Sequence, residues 1–174
     1  MNIAVCSSGH GDDKEILLKS RKIGSLIAKT GNILLTGGGT GYPLAALMGN
    51  IGSKGKAACY SPAKDKEEHE SFFKFSIIEG VDYIFTGRGI PGRNYDLVYN
   101  SGAIIIIGGR IGSLNEFTAA FALNRKIGIL NGSGGIVKVI PEIVDICQLE
   151  QKRTVHYSED PKRTDSLSVQ VISI

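Results

Sequence analysis

The chain has 174 residues, which suffices for one domain with a buried core but not for two substantial ones, so we assign residues 1–174 to a single domain. Hydrophobic residues make up 42% of the chain, charged residues 21%, and 23 residues are glycine, which is typical of an α/β protein rich in turns and excludes a disordered or fibrous one. The formal charge of +3 comes from basic residues interspersed with acidic ones, so we expect neither nucleic acid nor a membrane as a partner.

Short apolar stretches alternate with amphipathic stretches from the N-terminus onward. In chain order, the predicted strands are residues 3–6, 33–35, 56–60, 83–85, 104–107 and 126–130, with 155–157 compatible with a short strand and 167–171 with an edge strand. The predicted helices are residues 14–30, 43–51, 93–101, 114–123 and 136–149. The charged segment 64–70 is expected to be a mobile, solvated loop or helix face.

This alternation predicts an α/β fold, specifically a Rossmann-like three-layer αβα sandwich around a mostly parallel central sheet. Sheets of this kind bind ligands beyond the carboxyl ends of their strands, at the point where the strand order reverses. Each glycine-rich turn that directly follows a predicted strand is therefore a candidate for ligand contact.

The isoleucines at 104–107 form the most distinctive predicted strand, because β-branched residues without alternation suit a strand covered on both faces. A glycine turn and a predicted helix follow at once. This arrangement aims backbone amides and the positive end of a helix dipole at one point, which favours a phosphate group. Glu116 lies one turn into that helix and places a carboxylate beside the predicted anion site.

Two further turns follow the first and second predicted strands. Each turn alone is as compatible with a plain tight turn as with a ligand site, but two glycine-rich turns on one sheet edge favour a phosphate or nucleotide site. The predicted contact residues are Ser7, Ser8, Gly9, Gly37, Gly38, Gly39, Gly41, Gly108, Gly109, Arg110, Ile111, Gly112 and Ser113. A dinucleotide fingerprint and a P-loop are both wrongly spaced here, and no acidic residue closes the third strand, which argues against NAD.

The same residues carry a family resemblance. The glycines of 37–41, Arg93-Asn94, the stretch 108–116 and the serines of 7–9 resemble the LOG (Lonely Guy) type Rossmann proteins of the SLOG superfamily, in consistent order over residues 3–149. LOG-type members are phosphoribohydrolases that cleave the N-glycosidic bond of nucleoside 5′-monophosphates. The resemblance implies the same fold, an AMP-like phosphorylated ligand and catalytic roles for Glu116 and Arg93.

The sequence departs from the LOG signature Pro-Gly-Gly-x-Gly-Thr-x-x-Glu at several positions. Ile107 stands in place of the proline, one extra residue precedes Gly112, and Ser113 replaces the threonine. Asn94 follows Arg93 where the hydrolases carry lysine. These features resemble a sister group of short SLOG proteins that includes molybdenum cofactor carriers. The alternative function is therefore a non-catalytic carrier of a phosphorylated nucleotide or a molybdopterin-type cofactor; the position of Glu116 favours the hydrolase.

The proposed chemistry follows from the residue types. Cleavage of an N-glycosidic bond develops positive charge on the ribose, which the Glu116 carboxylate would stabilise while it orients water. Arg93 would hold the phosphate or the leaving base through its planar guanidinium. Two structural alternatives stay open: Ser113 and Glu116 also spell a helix capping box, and Arg93 also suits an exposed helix start. His10 is placed to touch a ligand, whereas His69 and His156 are expected at the surface.

The remaining features predict cellular context and assembly. Cys6, Cys59 and Cys147 lie far apart without metal-ligand spacing, so we expect buried thiols, no disulfide, no metal and no cofactor. The strand at the N-terminus leaves no room for a signal peptide and no apolar run has the length of a membrane span, which predicts a cytoplasmic location. Apolar residues around much of helices 93–101 and 114–123 predict a homo-oligomer, a dimer or a tetramer, whose partner residues complete the cleft as the resemblance implies.

Overall fold

A computed structural model describes residues 1–147 and 155–161 of the chain. Its strands are β1 (Asn2–Ser7), β2 (Ile33–Thr36), β3 (Lys56–Ser61), β4 (Asp82–Phe85), β5 (Ala103–Ile107), β6 (Lys126–Leu130) and β7 (Val155–Ser158). All seven are parallel and form one sheet in the order β4-β3-β2-β1-β5-β6-β7. This sheet confirms the predicted Rossmann-like α/β fold and the short strand near 155–157. The predicted edge strand at 167–171 lies outside the described residues.

Helices cover both faces of the sheet. They are α1 (Lys14–Lys29), α2 (Gly41–Gly52), α3 (Lys66–Ser71), α4 (Gly89–Tyr99), α5 (Ile111–Ala122) and α6 (Ile140–Ile146), with a 3-10 helix at Gly135–Lys138. The apolar residues of α1 and α2 form one core with one face of the sheet, and those of α4, α5 and α6 form a second core with the other face. Within the described ranges, every helix is too short or too polar to cross a membrane.

The isoleucine strand β5 lies near the middle of the sheet, between β1 and β6. All five of its residues are buried, as the run of β-branched residues predicts. Ile104 and Ile106 pack into the core beneath α4 and α5, and Ile105 and Ile107 pack into the core beneath α1 and α2. β5 thus joins the two halves of the fold.

The strand order reverses between β1 and β5, because the chain runs outward from β1 to β4 and then from β5 to β7. Ser7, the last residue of β1, pairs with Ile107, the last residue of β5. The loops after these two strands therefore leave the sheet side by side, and the loop after β2 lies next to them. All three predicted glycine turns share this edge, where ligands bind in open parallel sheets.

The charged segment 64–70 forms a short helix whose mostly exposed residues match the predicted solvated helix face, except at His69. Asp65 caps a short helix, α3, by accepting a hydrogen bond from the Glu68 amide at 2.8 Å. His69, expected at the surface, is fully buried, and its Nδ1 lies 2.7 Å from Ser61 Oγ. Burial lowers the pKa of His69, which favours its neutral imidazole. The other residues of α3 are mostly charged, so nothing in the sequence indicated that His69 faces inward.

Three further details differ from the sequence prediction. α5 begins at Ile111, so Ser113 lies inside the helix instead of capping it. The predicted helix 136–149 is divided into the 3-10 helix and α6, and Pro141 lies in the first turn of α6, where a missing amide proton is tolerated. Cys6 and Cys59 are buried free thiols as expected, but Cys147 is exposed.

Candidate functional site at the sheet edge

The loops after β1 and β2 form one platform above the sheet edge. Thr40 Oγ1 donates a hydrogen bond to the Gly9 carbonyl. Gly41 has a φ of +64°, and a Cβ there would lie 2.9 Å from the Gly11 nitrogen and 3.0 Å from the Ser8 oxygen. Only glycine satisfies both the backbone conformation and this close approach. The predicted residues of these two turns therefore lie together.

The turn after β5 is held by a fourth loop, residues 131–136, which contains none of the predicted contact residues. The Gly108 amide donates to Ser133 Oγ at 2.7 Å, and the Ile136 amide donates to the Gly109 carbonyl at 3.0 Å. Because the Gly108 amide already has an acceptor, it is not free for a ligand. The sequence signal for this loop was the run of glycines around Ser133, directly after a predicted strand.

The N-terminus of α5 is uncapped in the described part of the chain. The Leu114 amide makes the first helical bond, to the Arg110 carbonyl at 3.0 Å, so the amides of residues 110–113 have no acceptor within the helix. No side chain accepts from them as a cap, and the first turn contains no acidic residue. Asp13 caps α1 and Asp65 caps α3, whereas α2, α4 and α6 also begin without a side-chain cap. The start of α5 therefore offers amide donors and a positive dipole end to an anion.

Arg93 and Glu116 form a buried ion pair beneath the loops. Arg93 lies on α4 and Glu116 on α5, and Arg93 Nη1 is 3.5 Å from Glu116 Oε1. Their exposed fractions are only 9% and 5%. The guanidinium lies against Gly37, where a Cβ would be 1.9 Å from Nη1. Both structural alternatives are thus wrong: Arg93 is not exposed, and Glu116 pairs with Arg93 rather than closing a capping box.

The buried environment of this pair raises the pKa values of two acidic groups, Glu116 and Cys6. Burial raises the pKa of Glu116 from its ordinary 4.5 to about 7, against the opposing effects of the Arg93 charge and a hydrogen bond from the Cys6 thiol. The same burial, together with the nearby Glu116, raises the pKa of Cys6 well above its ordinary value. The Asn94 amide, with its nitrogen facing the acceptors, donates to Glu116 Oε1 at 3.3 Å. Glu116 therefore exchanges a proton near neutral pH.

Several buried polar atoms around the pair have no hydrogen-bond partner among the described residues. They are Arg93 Nε, Ser7 Oγ at the end of β1 and Thr36 Oγ1 at the end of β2. Unpartnered buried donors are costly, and most proteins satisfy them. Their concentration at the carboxyl ends of adjacent strands indicates a place where a polar ligand completes the hydrogen bonding.

Arg110 links the loop after β5 to the loop after β1. Its Nη2 lies 2.9 Å from Nδ1 of His10, which belongs to the loop after β1. Both side chains are exposed, so the contact leaves Arg110 able to turn toward an anion. Ile111, also a predicted contact residue, is 80% exposed. Arg88 instead forms an ion pair with Asp96, with Nη1 2.6 Å from Oδ1.

A groove of about 350 Å³ lies between α1 and α2, lined by residues that include Leu18, Arg21 and Met48, but none of its lining residues belongs to the glycine loops. Among residues 1–147 and 155–161, no three histidine, cysteine or acidic side chains converge as metal ligands would. The sheet edge is where the unpartnered donors and the perturbed carboxyl group coincide.

Several solved structures share this fold, and an uncharacterised protein is similar in sequence. The molybdenum cofactor binding protein of the phototrophic bacterium Rippkaea orientalis is 24% identical, with 99% of this chain and 97% of that chain covered at a TM-score of 0.82. The molybdenum cofactor carrier protein of Chlamydomonas reinhardtii is 21% identical, with 99% and 98% covered at a TM-score of 0.80. An uncharacterised protein of Archaeoglobus fulgidus is 27% identical over 130 residues, covering 75% of this chain and 80% of that protein.

At these identities the two solved structures establish a common fold. Family membership comes from the sequence: the model of the SLOG cluster4 family matches residues 1–164, which include every strand from β1 to β7 and every predicted contact residue. This match confirms the resemblance to the SLOG superfamily that the glycine turns carry. The chain belongs to the SLOG cluster4 family.

Proposed function

We propose that the chain is a binding protein for a phosphorylated nucleotide or a molybdopterin-type cofactor, held at the carboxyl edge of β1, β2 and β5. The observation that carries this proposal is the coincidence of the uncapped α5 N-terminus with the unpartnered donors Ser7 Oγ, Thr36 Oγ1 and Arg93 Nε. A phosphate would accept from the amides of residues 110–113, and Arg110 would exchange His10 for the anion.

The enclosure of Glu116 favours binding without chemistry. Its carboxyl group is 5% exposed and already faces Arg93, Asn94 and Cys6. A carrier requires only that these groups fix the orientation of the ligand. The molybdenum cofactor proteins of Rippkaea orientalis and Chlamydomonas reinhardtii, which have the same fold, support this choice of ligand class.

A second function, a phosphoribohydrolase, is favoured by one specific observation. Burial raises the pKa of Glu116 to about 7, the range in which a carboxyl group exchanges protons most usefully at neutral pH. As a carboxylate it would stabilise positive charge developing on ribose and orient the attacking water, and Arg93 would anchor the phosphate or the leaving base. Water supplies the hydroxyl group that replaces the base, and the base leaves with a proton.

Incubation with AMP separates the two functions. A carrier is expected to retain its ligand intact, and chromatography should detect no adenine after hours at high protein concentration. A hydrolase would release adenine and ribose 5-phosphate, and Glu116→Gln would reduce that release by roughly 10²- to 10⁴-fold while AMP binding persists. Glu142→Gln, which removes an exposed carboxylate on α6, is the matched control. Adenine release by the parent and by Glu142→Gln, but not by Glu116→Gln, would contradict the carrier.

We also propose that the protein is a homo-oligomer, a dimer or a tetramer built from dimers. The large apolar residues of α4 and α5 that gave rise to this prediction, such as Leu97, Val98, Phe117 and Phe121, are buried within the chain's own core and do not support it. The support comes instead from Tyr95 and Tyr99 on α4. Their rings stack with centroids 5.9 Å apart and remain 47% and 56% exposed.

A further inference from the structure

A half-buried aromatic ring borders the glycine platform on the side away from α5. Phe75 belongs to the segment between α3 and β4 and is partly exposed. A Cβ placed on Gly39 would lie 3.7 Å from Phe75 Cζ and 3.9 Å from Gly9 Cα, which are ordinary van der Waals distances. Because Gly39 has no side chain, a gap remains between the Phe75 ring and the Gly9 backbone.

The ring of Phe75 is held from behind by buried groups. The Phe75 amide donates to the His69 carbonyl at 3.1 Å, and the His69 ring meets the Phe75 ring edge-on with centroids 5.5 Å apart. His69 is in turn fixed by Ser61 Oγ at 2.7 Å. The buried imidazole and its serine partner therefore support the Phe75 ring from behind.

The gap and the proposed phosphate site mark the two ends of one stretch of the sheet's carboxyl edge. Gly39 follows β2 and the anion site follows β5, with β1 between them, so two strand spacings, roughly 10 Å, separate the two ends. Arg93 and Glu116 lie between the ends, since Arg93 contacts both Gly37 and Glu116. A ligand that reaches both ends therefore carries its phosphate and its ring on opposite sides of a central unit.

The geometry points to a subsite for a planar heteroaromatic ring, formed by Phe75 on one side and the glycine backbones of residues 9 and 39 on the other. This inference rests on the proposed phosphate site at α5. An aromatic face stacks on a flat heterocycle with little dependence on its hydrogen-bonding pattern, and glycine backbones allow close approach. The ligand class is thus a heterocycle linked to a phosphate, and inorganic phosphate or a sugar phosphate would leave the Phe75 subsite empty.

The test compares the affinities of AMP and ribose 5-phosphate by calorimetry. The parent should bind AMP more tightly by about 5- to 100-fold, the usual contribution of one stacked base. Phe75→Leu should remove most of this preference and leave ribose 5-phosphate binding unchanged, and Phe75→Tyr should retain it. Gly39→Ala should also remove it by filling the gap, and it should fold normally, because the added Cβ meets no atom closer than 3.7 Å.

Two controls isolate the subsite. Phe72→Leu changes a 73% exposed ring on the same segment, and Gly52→Ala adds a methyl group in open space on α2, so neither should alter the preference for AMP. Equal affinities of the parent for AMP and ribose 5-phosphate, or a full preference for AMP in both Phe75→Leu and Gly39→Ala, would overturn the subsite while leaving the phosphate site intact. A parent that binds neither compound would instead overturn the proposed function and the subsite with it.

Discussion

Glu116 and Arg93 show how one residue pair can be costly for folding and useful for a site. Transfer of two charges from water into a protein interior costs several kcal/mol per ion, and the Coulomb attraction offsets this only when the geometry is good. Here the closest approach is 3.5 Å and Arg93 Nε has no partner among the described residues, so the pair alone is poorly satisfied. Perturbed ionisable groups in such a position are typical of functional sites.

The raised pKa of Glu116 makes a prediction about stability. Because the folded-state pKa of about 7 exceeds the ordinary 4.5, Glu116 contributes stability that is fully present below pH 4.5 and is lost as pH rises through 7. Between pH 5 and pH 8, the parent should therefore lose on the order of 2 to 3 kcal/mol of unfolding free energy relative to Glu116→Gln. Urea denaturation of both proteins at pH 5, 6.5 and 8 measures this difference. Parallel pH profiles for the two proteins would show that Glu116 titrates normally.

At the scale of elements, the junction between β5 and α5 depends on glycines for two separate reasons. Gly109 has a φ of +93°, and a Cβ there would lie 2.3 Å from Ser113 Oγ. Gly132, in the neighbouring loop, has a φ of +75° but nothing within 4 Å of the Cβ position. The first glycine is needed for both conformation and space, and the second for conformation alone.

This contrast gives a matched pair of variants. Gly132→Ala should cost about 1 to 2 kcal/mol of unfolding free energy, the penalty for a left-handed conformation in a residue with a side chain. Gly109→Ala should cost more, about 2 to 5 kcal/mol in total, because overpacking against Ser113 adds to the same penalty. It should also weaken AMP binding, since the displaced turn carries the amides of residues 110–113. Equal destabilisation by the two substitutions, with AMP binding unchanged, would argue against a tightly packed turn at Gly109.

For the molecule as a whole, local sequence patterns predicted the fold but not the contacts between side chains at the site. The sequence predicted β5 and the three glycine turns correctly. A strand buried on both faces needs a run of apolar residues, and a tight turn needs glycines, so both features are visible in consecutive residues. The partnership of Arg93 with Glu116 was inferred from resemblance only. Their contact depends on how α4 packs on α5, which no spacing within either helix specifies.

Two residues were missed for the same physical reason. His69 lies among charged residues, and its burial depends on Ser61 and on aromatic rings from other segments. Ser133 accepts the Gly108 amide across 25 positions of sequence. Contacts of this range follow from the strand order, and the order could not be derived from the alternation of strands and helices.

The proposed assembly can be tested through the exposed aromatic surface of α4. Exposed stacked tyrosines on α4 are the kind of aromatic surface that interfaces between subunits use, and a two-fold axis would bring two such surfaces together. Light scattering at micromolar concentration should return a dimer or a tetramer for the parent, and the double substitution of Tyr95 and Tyr99 by glutamate should shift it toward monomer. Leu18→Glu, at a 69% exposed position in the groove between α1 and α2, is the matched control and should leave the assembly unchanged. A monomeric parent would refute the proposed oligomer, and dissociation by Leu18→Glu alone would place the interface on the opposite face of the sheet.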